Sequence, residues 1–202
     1  IQMKKIFYIT TISLLMQSCV SSLSQYQTAK TLGQGNSSST LVFQNTSEAQ
    51  SAPNNETMIA YVYSRGINDK TDLALGFGAA RRGIGVGTSF KRAIIEDRIS
   101  FNLPLVYKET IYDLARFEVS PSLLFTYNPE KRIKNTLNFQ LIFEKYLDAD
   151  LTESSFYISH NWEFNKNKFY FYPEIGLQNY GIGTTNNILI KFGLGFSYKS
   201  IN

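Results

Sequence analysis

From residue 38 onward the chain alternates apolar and polar positions in long runs separated by turn signals. The last run, residues 187–199, shows the pattern most clearly. Ile188, Ile190, Phe192, Leu194, Phe196 and Tyr198 share one parity, and Lys191, Gly193, Gly195, Ser197 and Lys199 share the other. A strand places successive side chains on opposite faces, so this run has a greasy face and a small or charged one. Globular strands average about five or six residues, whereas a tilted strand crossing a bilayer needs roughly 9–11. The run has the longer dimension. It predicts a membrane β-barrel that closes on this strand.

Nine further runs precede it, at residues 38–46, 57–65, 72–79, 84–91, 98–108, 114–127, 134–146, 154–164 and 169–178. In the third, Leu73, Leu75 and Phe77 oppose Ala74, Gly76 and Gly78. In the seventh, Leu137, Phe139, Leu141 and Phe143 oppose Asn138, Gln140 and Glu144. Run 57–65 is apolar on both faces, so its register stays open. Asn68-Asp69-Lys70, Asn128-Pro129-Glu130 and Asn165-Lys166-Asn167 are turn sequences. Ten runs predict an all-β, antiparallel transmembrane barrel of ten strands. Eight strands, with the weak first pair folded differently, is the alternative. Short connections after the even runs place those turns, and the N-terminus, on the periplasmic side of an outer membrane. Parity alone leaves one ambiguity: a soluble exported barrel binding a lipid or other ligand would turn its apolar face inward. Strand length and aromatics near the strand ends favour apolar-out.

Composition narrows the class. The chain has 202 residues, 43% of them apolar, with 13 Tyr and 15 Phe against one Trp. A mean hydropathy of -0.17 excludes a helical membrane protein but suits a barrel, whose two faces average out. The net charge of +4 is scattered, so no nucleic acid partner is expected. One cysteine allows no intrachain disulfide and no cysteine-built zinc site. No cofactor is expected.

Before the first run the pattern changes. Lys4 and Lys5 follow Met3, read as the start. An apolar stretch covers residues 6–16, and Gln17-Ser18-Cys19 follow. A basic start and a short apolar core describe a secretory signal peptide, residues 1–18, too short to span a bilayer as a helix. Leu15-Met16-Gln17-Ser18-Cys19 resembles a bacterial lipobox in the loose form common in Bacteroidota, with Met16 where Leu is usual. The resemblance implies lipidation of Cys19. A simple signal peptide, with Cys19 an incidental thiol, is the alternative. Residues 26–36, Tyr-Gln-Thr-Ala-Lys-Thr-Leu-Gly-Gln-Gly-Asn, are similar to the segment after the lipid cysteine in a family of small Bacteroidota outer-membrane barrel lipoproteins, with Gln34 in place of the usual Lys. The likeness covers about a dozen residues. Residues 19–37 are expected to form a lipidated tether, with Gly33 and Gly35 permitting a bend into the first strand, and residues 38–202 the barrel.

Few residues suggest chemistry. His160 is the only histidine, which removes multi-histidine metal sites. Its parity groups it with Phe156 and Trp162 on the outer face. Outer-membrane phospholipases carry a serine two positions after such a histidine, where this chain has Trp162. Asp148 and Asp150 form an acidic pair in a presumed loop and fall short of a calcium site. The inward charges are more informative. Lys91, Arg116, Glu118, Glu144, Glu163, Glu174 and Lys191 share the inner parity, and buried charges must pair or meet water. Glu174 and Lys191 are placed to meet across the last hairpin if its register allows. These charges predict a salt-bridged lumen. The resulting expectation is a non-enzymatic barrel with a structural or accessory role in the envelope, its partners being the lipid bilayer and other outer-membrane proteins of a larger complex. A narrow transport pore is the rival.

Overall fold

The computed structural model describes residues 26–48, 56–80, 83–110, 115–148, 151–180 and 187–200. The signal-like segment and Cys19 therefore lie outside the described residues, as does Asp150. Eleven strands form: β1 (Ser37–Glu48), β2 (Glu56–Asn68), β3 (Thr71–Ala80), β4 (Gly83–Ile95), β5 (Ile99–Thr110), β6 (Ala115–Val119), β7 (Ser122–Thr126), β8 (Ile133–Tyr146), β9 (Thr152–Lys166), β10 (Phe169–Tyr180) and β11 (Asn187–Ser200). β6 and β7 are two halves of one stave, split at Ser120 and Pro121. Proline has no N–H for the ladder, so the regular pairing lapses there. The wall stays continuous because the Ser120 N–H donates to the Pro104 carbonyl at 3.1 Å and the Leu141 N–H to the Pro121 carbonyl at 3.0 Å.

The staves therefore number ten, all antiparallel. β1 pairs with β2 on one side and with β11 on the other, from Ser37↔Ser200 to Glu48↔Leu189. Closure leaves no strand edge to attract another chain. The eight-stranded alternative fails at this seam, where β1 and β2 are full members of the wall.

The apolar parity faces out. Leu75 is 65% exposed, Phe77 61%, Leu141 47% and Phe169 66%, whereas Asn102, Asn138, Gln140 and Asn161 are fully covered inside. A water-soluble barrel would reverse this arrangement; one wrapped in lipid requires it. The open register of β2 is settled as well, with Ile59 and Tyr63 outward and Met58, Ala60 and Val62 inward. Two tight turns use left-handed residues, Asp97 at φ 57° and Asn167 at φ 60°. Aspartate and asparagine enter that region at least cost among residues with a Cβ. The end carrying these two turns is called the turn end below, and the opposite rim the loop end.

Candidate functional site

The lumen is occupied by the protein's own chain. Residues 26–36, expected as part of the lipidated tether, are folded against the inner wall. Tyr26, Thr28, Ala29 and Thr31 are buried. The Ala29 N–H donates to Thr126 Oγ1 at 3.0 Å, and Asn161 Nδ2 donates to the Gln27 carbonyl at 3.0 Å. The Leu32 N–H donates to both Asp72 carboxylate oxygens, at 3.0 and 3.2 Å. Thr31 Oγ1 donates to the Asp69 carbonyl at 2.6 Å, and the Asn36 side chain closes back on the Leu32 carbonyl at 2.8 Å. This segment has no strand periodicity, yet its backbone groups find partners on β3, β7 and β9. Such pairing is what buried amides require.

Glycines make the space. A Cβ on Gly193 would overlap the Tyr26 ring, and one on Gly195 would come within 3.0 Å of Tyr26 Cβ. A Cβ on Gly66 would overlap the Gly33 carbonyl. Gly33 and Gly35 take φ values of 82° and 80°. They turn the chain out of the lumen and into β1 with the left-handed backbone that glycine adopts freely. A residual cavity of about 40 Å³, lined by Tyr26, Lys30, Asp72, Lys91 and Lys199 among others, remains beside the segment.

The inward charges resolve into separate clusters. In the first, Lys108 bonds Glu118 and, at 2.9 Å, Glu144. Arg116 lies 3.5 Å from the second oxygen of Glu144 and donates to Tyr146 Oη at 3.2 Å. Glu118 and Glu144 sit directly opposite each other on β6 and β8, so two carboxylates face one another until the Lys108 ammonium bridges them. Ser120 Oγ adds a 2.7 Å bond to Glu118. In the second, Glu163 receives Lys134 at 2.7 Å, Lys199 at 3.5 Å and Tyr172 Oη at 3.0 Å. In the third, Lys91 pairs with Asp72 at 3.0 Å and donates to the Lys30 carbonyl at 2.8 Å, tying the inserted segment to the wall.

The expected Glu174–Lys191 pair does not form. Across the β10–β11 ladder Glu174 faces Gly193, while Lys191 faces Gly176. The two are therefore offset by two residues, and Tyr157 links them instead. Its hydroxyl donates to Glu174 at 2.6 Å, and Lys191 Nζ lies 4.9 Å from its ring centre, a cation–π contact. All seven charges read from the sequence line the lumen. Four others, Asp72, Lys108, Lys134 and Lys199, complete the ion pairs and were not singled out. Each lies on an inner parity, which was signal enough to find them.

Outside the lumen, His160 belongs to an aromatic patch. Its ring lies 4.3 Å from that of Trp162 and 6.0 Å from that of Tyr127, whose hydroxyl is 3.0 Å from His160 Nε2. Partial burial lines up three rings at the turn-end rim, where aromatic girdles of membrane barrels sit. Asp148 accepts the Ala115 N–H at 3.2 Å. Among the described residues no group of acidic, cysteine or histidine side chains is arranged to hold a metal ion.

A closed antiparallel cylinder, apolar outside and charged within, is a transmembrane β-barrel. No family model matches the chain, and no curated protein matches it. Solved structures similar in architecture include a de novo designed transmembrane β-barrel, with 11% identity over 83% of this chain and 97% of that one, at a TM-score of 0.39. Ail, the attachment invasion locus protein of Yersinia pestis, shows 13% identity over 83% and 99%, at 0.36. The outer membrane protein OprG of Pseudomonas aeruginosa shows 8% over 87% and 100%, at 0.38. Likeness at this level assigns neither activity nor partner.

Proposed function

We propose that this protein is a lipid-anchored outer-membrane barrel of a Bacteroidota-like cell, with a filled lumen and a structural or accessory role beside a larger envelope complex. The observation that carries this reading is the lumen itself. Residues 26–36 fill its turn-end part, and ion pairs centred on Lys108, Glu163 and Asp72 cross its wall. A conduit needs mobile water and ions along its axis, and a ten-stranded cylinder has little interior to spare, since eight strands are already filled by side chains. The apolar outer wall supports residence in a bilayer. The lipobox-like sequence before Cys19 supports the anchor. The aromatic surroundings of His160, with Trp162 where a catalytic serine would stand, support a non-enzymatic role.

The test has two parts. The purified protein in planar bilayers is expected to show no steady single-channel conductance; a stable, ion-selective channel overturns the closed-lumen reading. Extraction of the outer membrane in mild detergent, followed by affinity capture, is expected to bring down a defined set of envelope proteins. Capture of the barrel alone, at full recovery, overturns the accessory role.

A further inference from the structure

The outer wall is not uniform at the turn end. A groove of about 650 Å³ runs across it from β8 to β2. Two rows of outward side chains frame it. Strand pairing sets Ile133, Phe164, Phe171, Phe196, Leu41 and Tyr61 side by side as the upper row. It sets Lys166, Phe169, Tyr198 and Ser39 side by side as the lower row. Rings pack along both, with centres 5.0 Å apart for Phe171 and Phe196 and 5.3 Å for Phe169 and Tyr198. Ser39 is the small member of its row, between Tyr198 and Tyr63, and leaves the space below Leu41 unfilled. Tyr61 Oη donates to Ser39 Oγ at 3.0 Å and closes that end.

The groove climbs. Ile133 is the first residue of β8, at the turn rim, whereas Tyr61 stands seven residues before Asn68, the turn end of β2. Five steps between neighbouring strands separate them, about 24 Å in all. With strands tilted by roughly 40°, such a row rises about 15 Å. A hydrocarbon core is about 30 Å thick, so the groove has the depth of one leaflet. Its low end carries the charge. Arg132 precedes Ile133 and Lys166 begins the lower row, and both line the groove. Both are exposed, and neither forms an ion pair among the described residues. The two turns at this corner hold Lys131, Arg132, Lys166 and Lys168 against one acid, Glu130. The other two are mixed or acidic, with Asp69 beside Lys70, and Glu96 and Asp97 beside Arg98. Positive charge at the rim is thus gathered at the mouth of the groove. An arginine fork matches phosphate oxygens, and a lysine adds a point charge.

We propose that this groove holds one anionic phospholipid of the turn-end leaflet. Its phosphate sits between Arg132 and Lys166, and one acyl chain lies along the aromatic rows toward Tyr61. Lipid A, with several chains on a bisphosphorylated head, overfills a single groove. The site uses only the outer wall, so it stands apart from the filled lumen and from any anchor.

The test counts bound lipids by native mass spectrometry on the full chain, purified in mild detergent and given equal amounts of phosphatidylglycerol and phosphatidylcholine. A basic side chain near anionic headgroups is worth about fivefold in affinity, so two give phosphatidylglycerol a preference of roughly 30-fold. Arg132→Gln with Lys166→Gln is expected to abolish it. Lys131→Gln with Lys168→Gln removes the same charge from the same turns but outside the groove lining, and is expected to keep it. Ser39→Phe fills the groove while leaving both cations, and is expected to weaken phosphatidylglycerol binding. No preference in the parent overturns the proposal, as does a preference that survives Arg132→Gln with Lys166→Gln. Equal loss in the two charge pairs reduces the effect to diffuse attraction, and unchanged binding by Ser39→Phe puts the acyl chain elsewhere; either result overturns it too. Tighter binding of lipid A than of phosphatidylglycerol overturns the phospholipid assignment.

Discussion

The hydroxyl of Tyr26 occupies the space that a side chain at position 193 would need. The glycine on the closing strand and the tyrosine of the inserted segment are thus one fitted unit. Gly193→Ala forces overlap, and overpacking of this kind costs about 1–3 kcal/mol. The substitution is expected to lower the unfolding temperature of the barrel in detergent, and Tyr26→Ala in the same chain is expected to remove most of that penalty. Residues in contact couple in this way. Equal penalties for Gly193→Ala with and without Tyr26 would show that the segment is not seated there.

Glu163 and Glu174 are both buried carboxylates, but their partners differ. Glu163 answers two ammonium groups, whereas Glu174 accepts from a neutral phenol. Removing one partner of a buried ion pair leaves the other charge uncompensated, at roughly 3–5 kcal/mol. Glu163→Gln is therefore expected to destabilise the barrel far more than Glu174→Gln in urea titrations followed by tryptophan fluorescence. The reverse order would mean that the ion-pair assignments are wrong.

Depth decides the cost of a charge on the outer wall. Leu141 lies well inside β8 and faces out, while Phe169 begins β10 at the turn rim. Arginine at the bilayer midplane costs about 2–4 kcal/mol and near the interface about 0–1. Leu141→Arg should impair folding into vesicles, and Phe169→Arg should leave it nearly unchanged. Similar folding yields for both would contradict the proposed lipid belt.

Lys30 and Asp97 form an ion pair at 2.8 Å, at the turn rim and outside the spanning strands, with their side chains 50% and 35% exposed. The hydrogen bond to Asp97 holds the Lys30 amine above its ordinary range, while partial burial pulls the other way. A raised lysine value stabilises the fold below the ordinary lysine range, and that contribution disappears as pH climbs through the raised value. Solvent screening keeps it under about 1 kcal/mol. Asp97→Asn preserves the left-handed turn, which asparagine tolerates. The variant is expected to melt slightly lower than the parent at neutral pH and at the same temperature once Lys30 is deprotonated. A gap that persists at high pH would assign the effect to the turn instead.

Much of this architecture was legible because period-two alternation is a direct record of which face meets lipid. Runs such as residues 134–146 could not be read otherwise, and the ten staves followed. Lys108, Lys134 and Lys199 were legible by the same rule, since each sits between outward residues. Three things were hidden. Pairing offset is set by the hairpin and not by parity, so Glu174 and Lys191 share a face yet miss each other. The split at Pro121 depends on the lost N–H of one residue inside an otherwise regular run. The seating of residues 26–36 depends on distant partners, Asp72, Thr126 and Asn161, and a segment without periodicity does not announce its neighbours. The glycines at 66, 193 and 195 were the available clue, since bare positions on an inner wall mark a close approach.

The seam between β1 and β11 carries one more consequence, for the order of events in biogenesis. The first strand and the last must meet, while the segment just ahead of the first strand is held by strands on the far side of the cylinder. Contacts of such long sequence separation form slowly, because their loop-closure entropy is lost before they bring any gain. If the seam zipped first, residues 26–36 would have to be fed into a finished tube already lined by the side chains of ten staves. The sheet must therefore curl around the leading segment while the seam is still open. β1 then docks on β11 as the final act, and the same step that seals the wall traps its contents.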